Sequence, residues 1–391
     1  MMESDMSSDR QNGVDTMRVV SQGRIVIIGG GFAGMAAIQS LVPCLAVAEQ
    51  PTIISLVDAS PGHTLITEIP YVLERDLNMT SRMLDFSSML QGSGVEFQQR
   101  RVRGLDHRYR TILLADGGSL DYDYALLAVE TEAAFPHVPG LHRHAWPVRT
   151  ASDAIGIIKA LRQAPRARIV IAGGAFTGVE LAASVKGHQV TLLEAKPSLL
   201  PNMLAPYGQY ARDFLEHSGV EVILSVHLVH VDASTIHTDS GGIPYDLLIW
   251  AGGIKPPHWL QESNIPCGPE GYPIADPWGR IDHHLFVAGD LWRPQRSQGR
   301  RFMQTAETAQ AMGSYVGRVM AATVLGQRLP APFHHGAHGM IVSLGASRGV
   351  GWVLTPRRPL HGRLAGELKH VALARYCRKI AHRANSGLHV S

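Results

Sequence analysis

Two glycine-rich turns are the first places in this 391-residue chain where residue type and spacing could do chemistry. The stretch "RIVIIGGGFAGMAA", 24–37, sets Gly29, Gly31 and Gly34 behind an apolar run, and "RIVIAGGAFTGVEL", 168–181, sets Gly173, Ala175 and Gly178 behind another. In such a turn the first glycine permits the tight bend. The second lets backbone approach a pyrophosphate, and the third lets helix and strand pack closely. The residues opening the next helix, Phe32 and Ala33 in one copy and Phe176 and Thr177 in the other, bring free N–H groups and the positive end of a helix dipole to the phosphates. An acid closes each following strand: Asp58 ends "TIISLVD" and Glu194 ends "QVTLLE", where a carboxylate can accept hydrogen bonds from ribose hydroxyls. Ala175 departs from the pattern by one methyl, at the point where backbone meets phosphate.

A lone Gly-x-Gly-x-x-Gly is weak; strand, turn, helix and acid-ended strand in succession make it specific. That succession occurs twice. "TILLADGGSLDYDYALLA", 111–128, and "TIHTDSGGIPYDLLIWAGG", 235–253, repeat a hairpin and strand, with Tyr122-Asp123 matching Tyr245-Asp246. The repeated unit is a whole domain. "HHLFVAGDLW", 283–292, predicts a short strand ending at Gly289-Asp290, and 302–326 predicts a helix rich in small residues, with Thr305 and Ala306 at its start. Two strands follow within 339–356, then a basic helix at 362–384. The expected fold is α/β, with two Rossmann-like dinucleotide-binding domains, the second inserted in the first, and a C-terminal strand–helix tail. The expected division is a disordered lead at 1–22, a first domain at 23–148 and 265–330, a second at 149–264, and a membrane-associating or dimerising tail at 331–391.

Bulk properties narrow the class. Hydrophobic residues make up 45% of the chain, which suits a large core. No apolar run reaches the roughly 18 residues of a spanning helix, and the polar N-terminus does not read as a secretory signal. Cys44, Cys267 and Cys377 show no C-x-x-C spacing, against a zinc ribbon or redox pair and for a reducing compartment. Of 36 Lys and Arg, nine lie beyond Pro330, with one of the 33 acids, Glu367, so a basic tail follows a mildly acidic body. That asymmetry suggests an anionic partner for the tail. Leu364, Leu368, Ala372, Tyr376 and Ile380 recur at four-residue steps, with Val371 and Leu373 adding apolar area and Lys369, Arg375, Arg378, Lys379 and Arg383 between them. A membrane surface or ordinary packing on the body both fit that helix. No basic platform interleaved with aromatics appears, against nucleic acid. "GASRG", 345–349, has the letters of a nucleophile elbow, but strand rather than helix follows, so a hairpin is expected. The twenty histidines, "HVPGLHRH" at 137–144 and His334-His335 among them, show no metal-ligand spacing, and no metal is expected.

These two units, the Tyr-Asp strands and the late Ala-Gly-Asp resemble the flavoproteins with two dinucleotide-binding domains, over about residues 24–326. The resemblance implies FAD on Gly29, Gly31, Gly34 and Asp58, with Gly289-Asp290 at the ribityl chain. It implies NADH on Gly173, Ala175, Gly178, Glu194 and Gly252; the acid at 194 would repel a 2′-phosphate. "GAFTGVELA", "TAETAQAMG" and the basic last helix are similar to the type II NADH:quinone oxidoreductases, single-chain enzymes that pump no protons. The resemblance implies a peripheral enzyme on the cytoplasmic face of the membrane, with a quinone or other small electron acceptor and the possibility of a homodimer. It puts Glu180 near the nicotinamide, where it relays protons. The family's Ala-Gln-x-Ala-x-Gln-Gln-Gly falls on Ala306, Glu307, Ala309, Ala311, Met312 and Gly313, with all three glutamines replaced; Glu307 can bond a quinone carbonyl when protonated and repel it when ionised. A second departure is Ala128-Val129-Glu130, where the family has Ala-Thr-Gly. Two other readings stay open: a sulfide:quinone oxidoreductase lacking its cysteine pair, and a flavin-binding sensor or scaffold with impaired turnover.

Overall fold

The computed structural model describes residues 23–47, 52–75, 77, 79–294 and 302–385. The lead expected at 1–22 lies outside them. Two five-stranded parallel sheets form the body, and their strand orders match. The first runs 285–287, 124–127, 23–28, 52–58, 95–99; the second runs 145–147, 247–250, 168–172, 189–194, 221–224. Ile25–Ile28 and Ile169–Ala172 are buried without interruption, as expected of strands covered on both faces. A three-stranded antiparallel sheet accompanies each, at 102–121 and 228–244. Because Leu285–Val287 returns to the first sheet after the second is complete, one unit is inserted in the other. Glu132-Ala133 pairs antiparallel with Ile254-Lys255 where the chain crosses between them. Ala145–Pro147 already joins the second sheet, ahead of the boundary expected at 149.

Five helices position the site. Helix α1, Phe32–Val47, leaves the first glycine turn. Helix α2, Ala151–Gln163, starts from a capping box in which Thr150 Oγ1 accepts from Asp153 N–H and the Asp153 carboxylate accepts from Thr150 N–H. Helix α3, Phe176–Ser184, leaves the second turn. Helix α4, Ala306–Val324, is capped by Thr305 and lies on α1 through Gly313 and Gly317, where a Cβ would come within 2.0 Å of Ala33 O and 2.5 Å of Ala37 O. Strands 339–343, 349–353 and 360–362 form a small antiparallel sheet, with the 345–349 motif in its first hairpin.

Helix α5, Arg363–Asn385, closes the chain. Its expected single apolar stripe divides. Ala365 and Ile380 are buried and Leu373, Tyr376 and Cys377 pack against the first core, whereas Leu364, Leu368 and Val371 are 56%, 37% and 48% exposed. Four-residue steps overshoot a 3.6-residue turn by about 40° each, so a stripe drawn at that spacing winds from one face to another.

Candidate functional site

The first and third glycines of each turn are closed in by backbone. A Cβ at Gly29 would stand 2.6 Å from Ala128 O, and one at Gly34 1.9 Å from Gly29 O; at Gly173 and Gly178 the distances are 2.6 Å to Ala251 O and 1.7 Å to Gly173 O. Gly29 and Gly173 also adopt φ of +97° and +118°, which favour glycine. Gly31 differs: its Cβ position meets only Glu130 Oε1, at 3.8 Å. The turn therefore has an open cradle at the second glycine of the pattern, Gly31. Ala175 holds the equivalent place in the second copy. It is the N-cap of α3 at φ −78°, ψ −166°, which any residue adopts. The fold accepts its methyl without strain.

The two acids brace their turns. Asp58 Oδ2 accepts from Gly30 N–H at 2.8 Å and Oδ1 from Ser60 N–H at 2.8 Å. Glu194 repeats this with Gly174 N–H at 2.6 Å and Lys196 N–H at 2.8 Å. Each oxygen keeps lone-pair capacity for a ribose hydroxyl. Burial raises the Asp58 carboxyl, against the lowering effect of its backbone donors and Arg101. Gly252 belongs to the second turn, its Cα 2.8 Å from the Cβ position of Gly173.

Gly289 brings the late strand onto α1, its Cβ position 2.9 Å from Ala33 Cβ. Asp290 follows and pairs with Arg149 at 3.5 Å; burial raises its carboxyl while Arg149 and Arg293 oppose the shift. Gln304 donates to Asp290 O, so Thr305 and Ala306 start α4 beside it. Arg149, which the sequence reading missed, is fixed at both ends. Its N–H donates to the Asp153 carboxylate, and its guanidinium donates to Thr131 Oγ1 at 2.8 Å. The capping letters of "RTASD" were visible; the partner across the cleft was not. Glu130 is exposed to solvent yet stands among Asp58, Asp290 and Arg149. Desolvation of the carboxyl end, crowded by these neighbours while the rest of the side chain keeps its exposed surface, pushes it up to about 7; the Arg149 charge opposes the rise, and Asp58 and Asp290 add to it.

The two expected catalytic carboxylates have partners in the tail. Glu180, on α3, accepts from Ser343 N–H at 2.8 Å and from the Lys369 ammonium of α5. Glu307, in the first turn of α4, accepts from His338 N–H at 2.9 Å and lies 2.7 Å from His338 Nδ1. A further cluster joins the tail to the first turn: Tyr376 Oη lies 2.9 Å from His63 Nε2, and both rings contact Phe32. Burial holds His63 down to about 4, so it is neutral near pH 7.

The three cysteines are free and partly buried. Among the described residues, His230, Asp232 and His237 gather on one hairpin with ligand atoms within 4.8 Å. The two rings stack 3.9 Å apart, 6° from parallel, and His237 Nε2 bonds Asp232 at 2.9 Å. Parallel rings aim their lone pairs side by side rather than at one point, so the cluster reads as a brace of the hairpin.

Comparison with known proteins agrees with this geometry. The family described as pyridine nucleotide-disulphide oxidoreductase matches residues 23–313. The chain is 23% identical over 361 residues to the NADH dehydrogenase-like protein YutJ of Bacillus subtilis, covering 90% of this chain and 98% of that one. It is 23% identical over 392 residues to the type II NADH:quinone oxidoreductase of Staphylococcus haemolyticus, covering 91% and 96%. In fold it is similar to the structure of NDH2 from Plasmodium falciparum in complex with NADH, with a TM-score of 0.80 at 15% identity over 93% and 97% of the two chains. FAD and NADH are its cofactors. The chain is an oxidoreductase and belongs to the pyridine nucleotide-disulphide oxidoreductase family.

Proposed function

We propose that this protein is an FAD-dependent NADH dehydrogenase that delivers electrons to a quinone at a membrane surface. The observation that carries the reading is the repeated turn: two backbone-closed glycine bends, each followed by a helix N-terminus and braced by an acid-ended strand. FAD, when bound, would supply the hydride-accepting and electron-releasing chemistry between NADH and the acceptor. The protein's part is to align and to place charge. Gly31, Phe32, Ala33 and Gly34 present N–H groups to one pyrophosphate, and Ala175, Phe176, Thr177 and Gly178 to the other, while Gly29 and Gly173, whose N–H groups donate to Val57 O and Leu193 O, make the bends. Asp58 and Glu194 take ribose hydroxyls, and Asp290, steadied by Arg149, takes the ribityl chain. Glu180 holds a proton route near the nicotinamide, with Lys369 fixing its carboxylate. Glu307 and His338 share a hydrogen bond at the start of α4, where the acceptor is expected, and can hold a proton at Oε1.

The membrane reading is supported by the type II relatives and by α5, whose exposed Leu364, Leu368 and Val371 are flanked by the exposed Arg363, Arg375 and Arg378. Among the described residues, no helix is long and apolar enough to cross a membrane. One observation favours the sensor reading: Glu180 is already engaged by Ser343 and Lys369.

The test is an anaerobic NADH titration of the purified protein, followed by quinone reduction on vesicles. Stoichiometric loss of flavin absorbance and then quinone-dependent turnover are expected. Bound flavin that NADH leaves oxidised would overturn the dehydrogenase reading, and reducible flavin without quinone turnover would leave the sensor.

A further inference from the structure

The internal repeat supplies its own control for Glu130. A Cβ at Gly29 would meet Ala128 C and O and then Val129 Cα at 2.8 Å; a Cβ at Gly173 would meet Ala251 C and O and then Gly252 Cα at 2.8 Å. The crossing segments 128–130 and 251–253 are therefore equivalent. At the third position the second copy has Gly253, at φ +153°, and the first has Glu130. The carboxyl this adds does not turn away from the turn. Its Oε1 is the atom nearest the Cβ position of Gly31, at 3.8 Å, over the residue where backbone meets pyrophosphate.

The charges facing Glu130 can be named element by element. Asp58 comes from the end of strand 52–58, with Arg101 beyond it. Asp290 follows strand 285–287, with Arg293 beside it, and Arg149 precedes α2. Arg149 is shared with Asp290 and Thr131, so it is not free to neutralise Glu130 alone. A bound dinucleotide adds its anionic phosphates to this set and displaces water, and both effects disfavour a third carboxylate. As the neutral acid, Glu130 instead offers an O–H to a phosphate oxygen.

We propose that Glu130 makes FAD binding proton-linked: the dinucleotide is held with Glu130 as the neutral acid, and binding takes up one proton from solvent. The proposal rests on FAD occupying the first turn. The sign follows from linkage. The complex binds more protons than the free protein, so affinity falls as pH rises through the range where free Glu130 ionises, near 7. Above that range the fall approaches tenfold per pH unit. Below it, affinity is flat.

The test uses the full chain stripped of flavin. FAD binding is followed by flavin fluorescence between pH 6 and 9, and proton uptake by calorimetry in buffers of different ionisation heat. Wild type is expected to take up close to one proton at pH 8 and to lose affinity with rising pH. Glu130→Gln is expected to bind FAD with no uptake and a flat profile; Glu130→Gly, which installs the residue of the second copy, gives the same result should the glutamine variant not fold. FAD binding with no proton uptake, or an unchanged profile in the variants, would overturn the linkage. Failure of the refolded wild-type protein to bind FAD at any pH would overturn the cofactor assignment and the proposal with it.

Discussion

The methyl of Ala175 and the absent methyls of Gly173 and Gly178 answer to different neighbours. At Gly178 a Cβ would lie 1.7 Å from Gly173 O, inside its own turn, so Gly178→Ala must move backbone. Overpacking of that kind costs about 1–3 kcal/mol, and NADH affinity falls with it because the phosphate-facing N–H groups move. Ala175 has relaxed backbone, and its counterpart Gly31 has open space, so the methyl acts on the ligand rather than on the fold. Ala175→Gly is expected to leave the urea midpoint nearly unchanged, since glycine at an N-cap differs from the better caps by only a few tenths of a kcal/mol. It should tighten NADH by about threefold, or roughly 0.7 kcal/mol. Urea unfolding and an NADH titration on the two variants separate the effects. Equal NADH affinity in Ala175→Gly and wild type would refute the steric account.

Among the elements, α5 is held by contacts remote in sequence, and one of them titrates. His63, 2% exposed, shares a hydrogen bond with Tyr376 Oη through Nε2. Protonation charges this buried ring. Burial puts the folded value at about 4, against 6.5 ordinarily, so the unfolded chain binds the proton first. The associated stability is complete above about pH 6.5 and is lost as pH falls from there towards 4, by on the order of 3 kcal/mol. Melting temperature should drop across that window. His63→Asn, which cannot titrate, should start lower and lose less; an identical acid slope would assign the loss to other groups. This contact also marks the limit of what the sequence discloses. The glycine turns, the acid-ended strands and their duplication are legible because strand, turn and helix follow one another within about 20–30 residues. Tyr376 meets His63 across 313 positions, and Lys369 meets Glu180 across 189. Those pairs depend on where the tail docks, which no local pattern encodes. Glu130 was legible as an odd letter, but the acids and the arginine around it come from three other elements.

For the whole molecule, the question is what covers the outer face of the tail. The inner face of α5 is satisfied: Ala365, Leu373, Tyr376, Cys377 and Ile380 lie against the body. Leu364, Leu368 and Val371 are left in solvent on a helix whose exposed positions also include Arg363, Arg375 and Arg378. Apolar side chains with cations beside them suit the headgroup boundary of an anionic bilayer, the side chains entering and the guanidinium groups staying with phosphates. Burying each such side chain fully is worth about 1.5–3 kcal/mol, so even half of that from three residues exceeds the 1.4 kcal/mol of a tenfold change. The protein is therefore expected to cosediment with vesicles containing anionic phospholipid. Leu364→Asp, Leu368→Asp and Val371→Asp together should weaken that partition more than tenfold. None of the three belongs to the buried cores, so flavin content and NADH oxidation with a water-soluble acceptor should hold. Salt separates the two contributions: at about 1 M, where charges are screened within about 3 Å, the arginines stop helping and the leucines do not. Residual binding at high salt that disappears in the triple variant would assign it to this face. Equal cosedimentation of variant and wild type at both salt concentrations would place the membrane contact elsewhere.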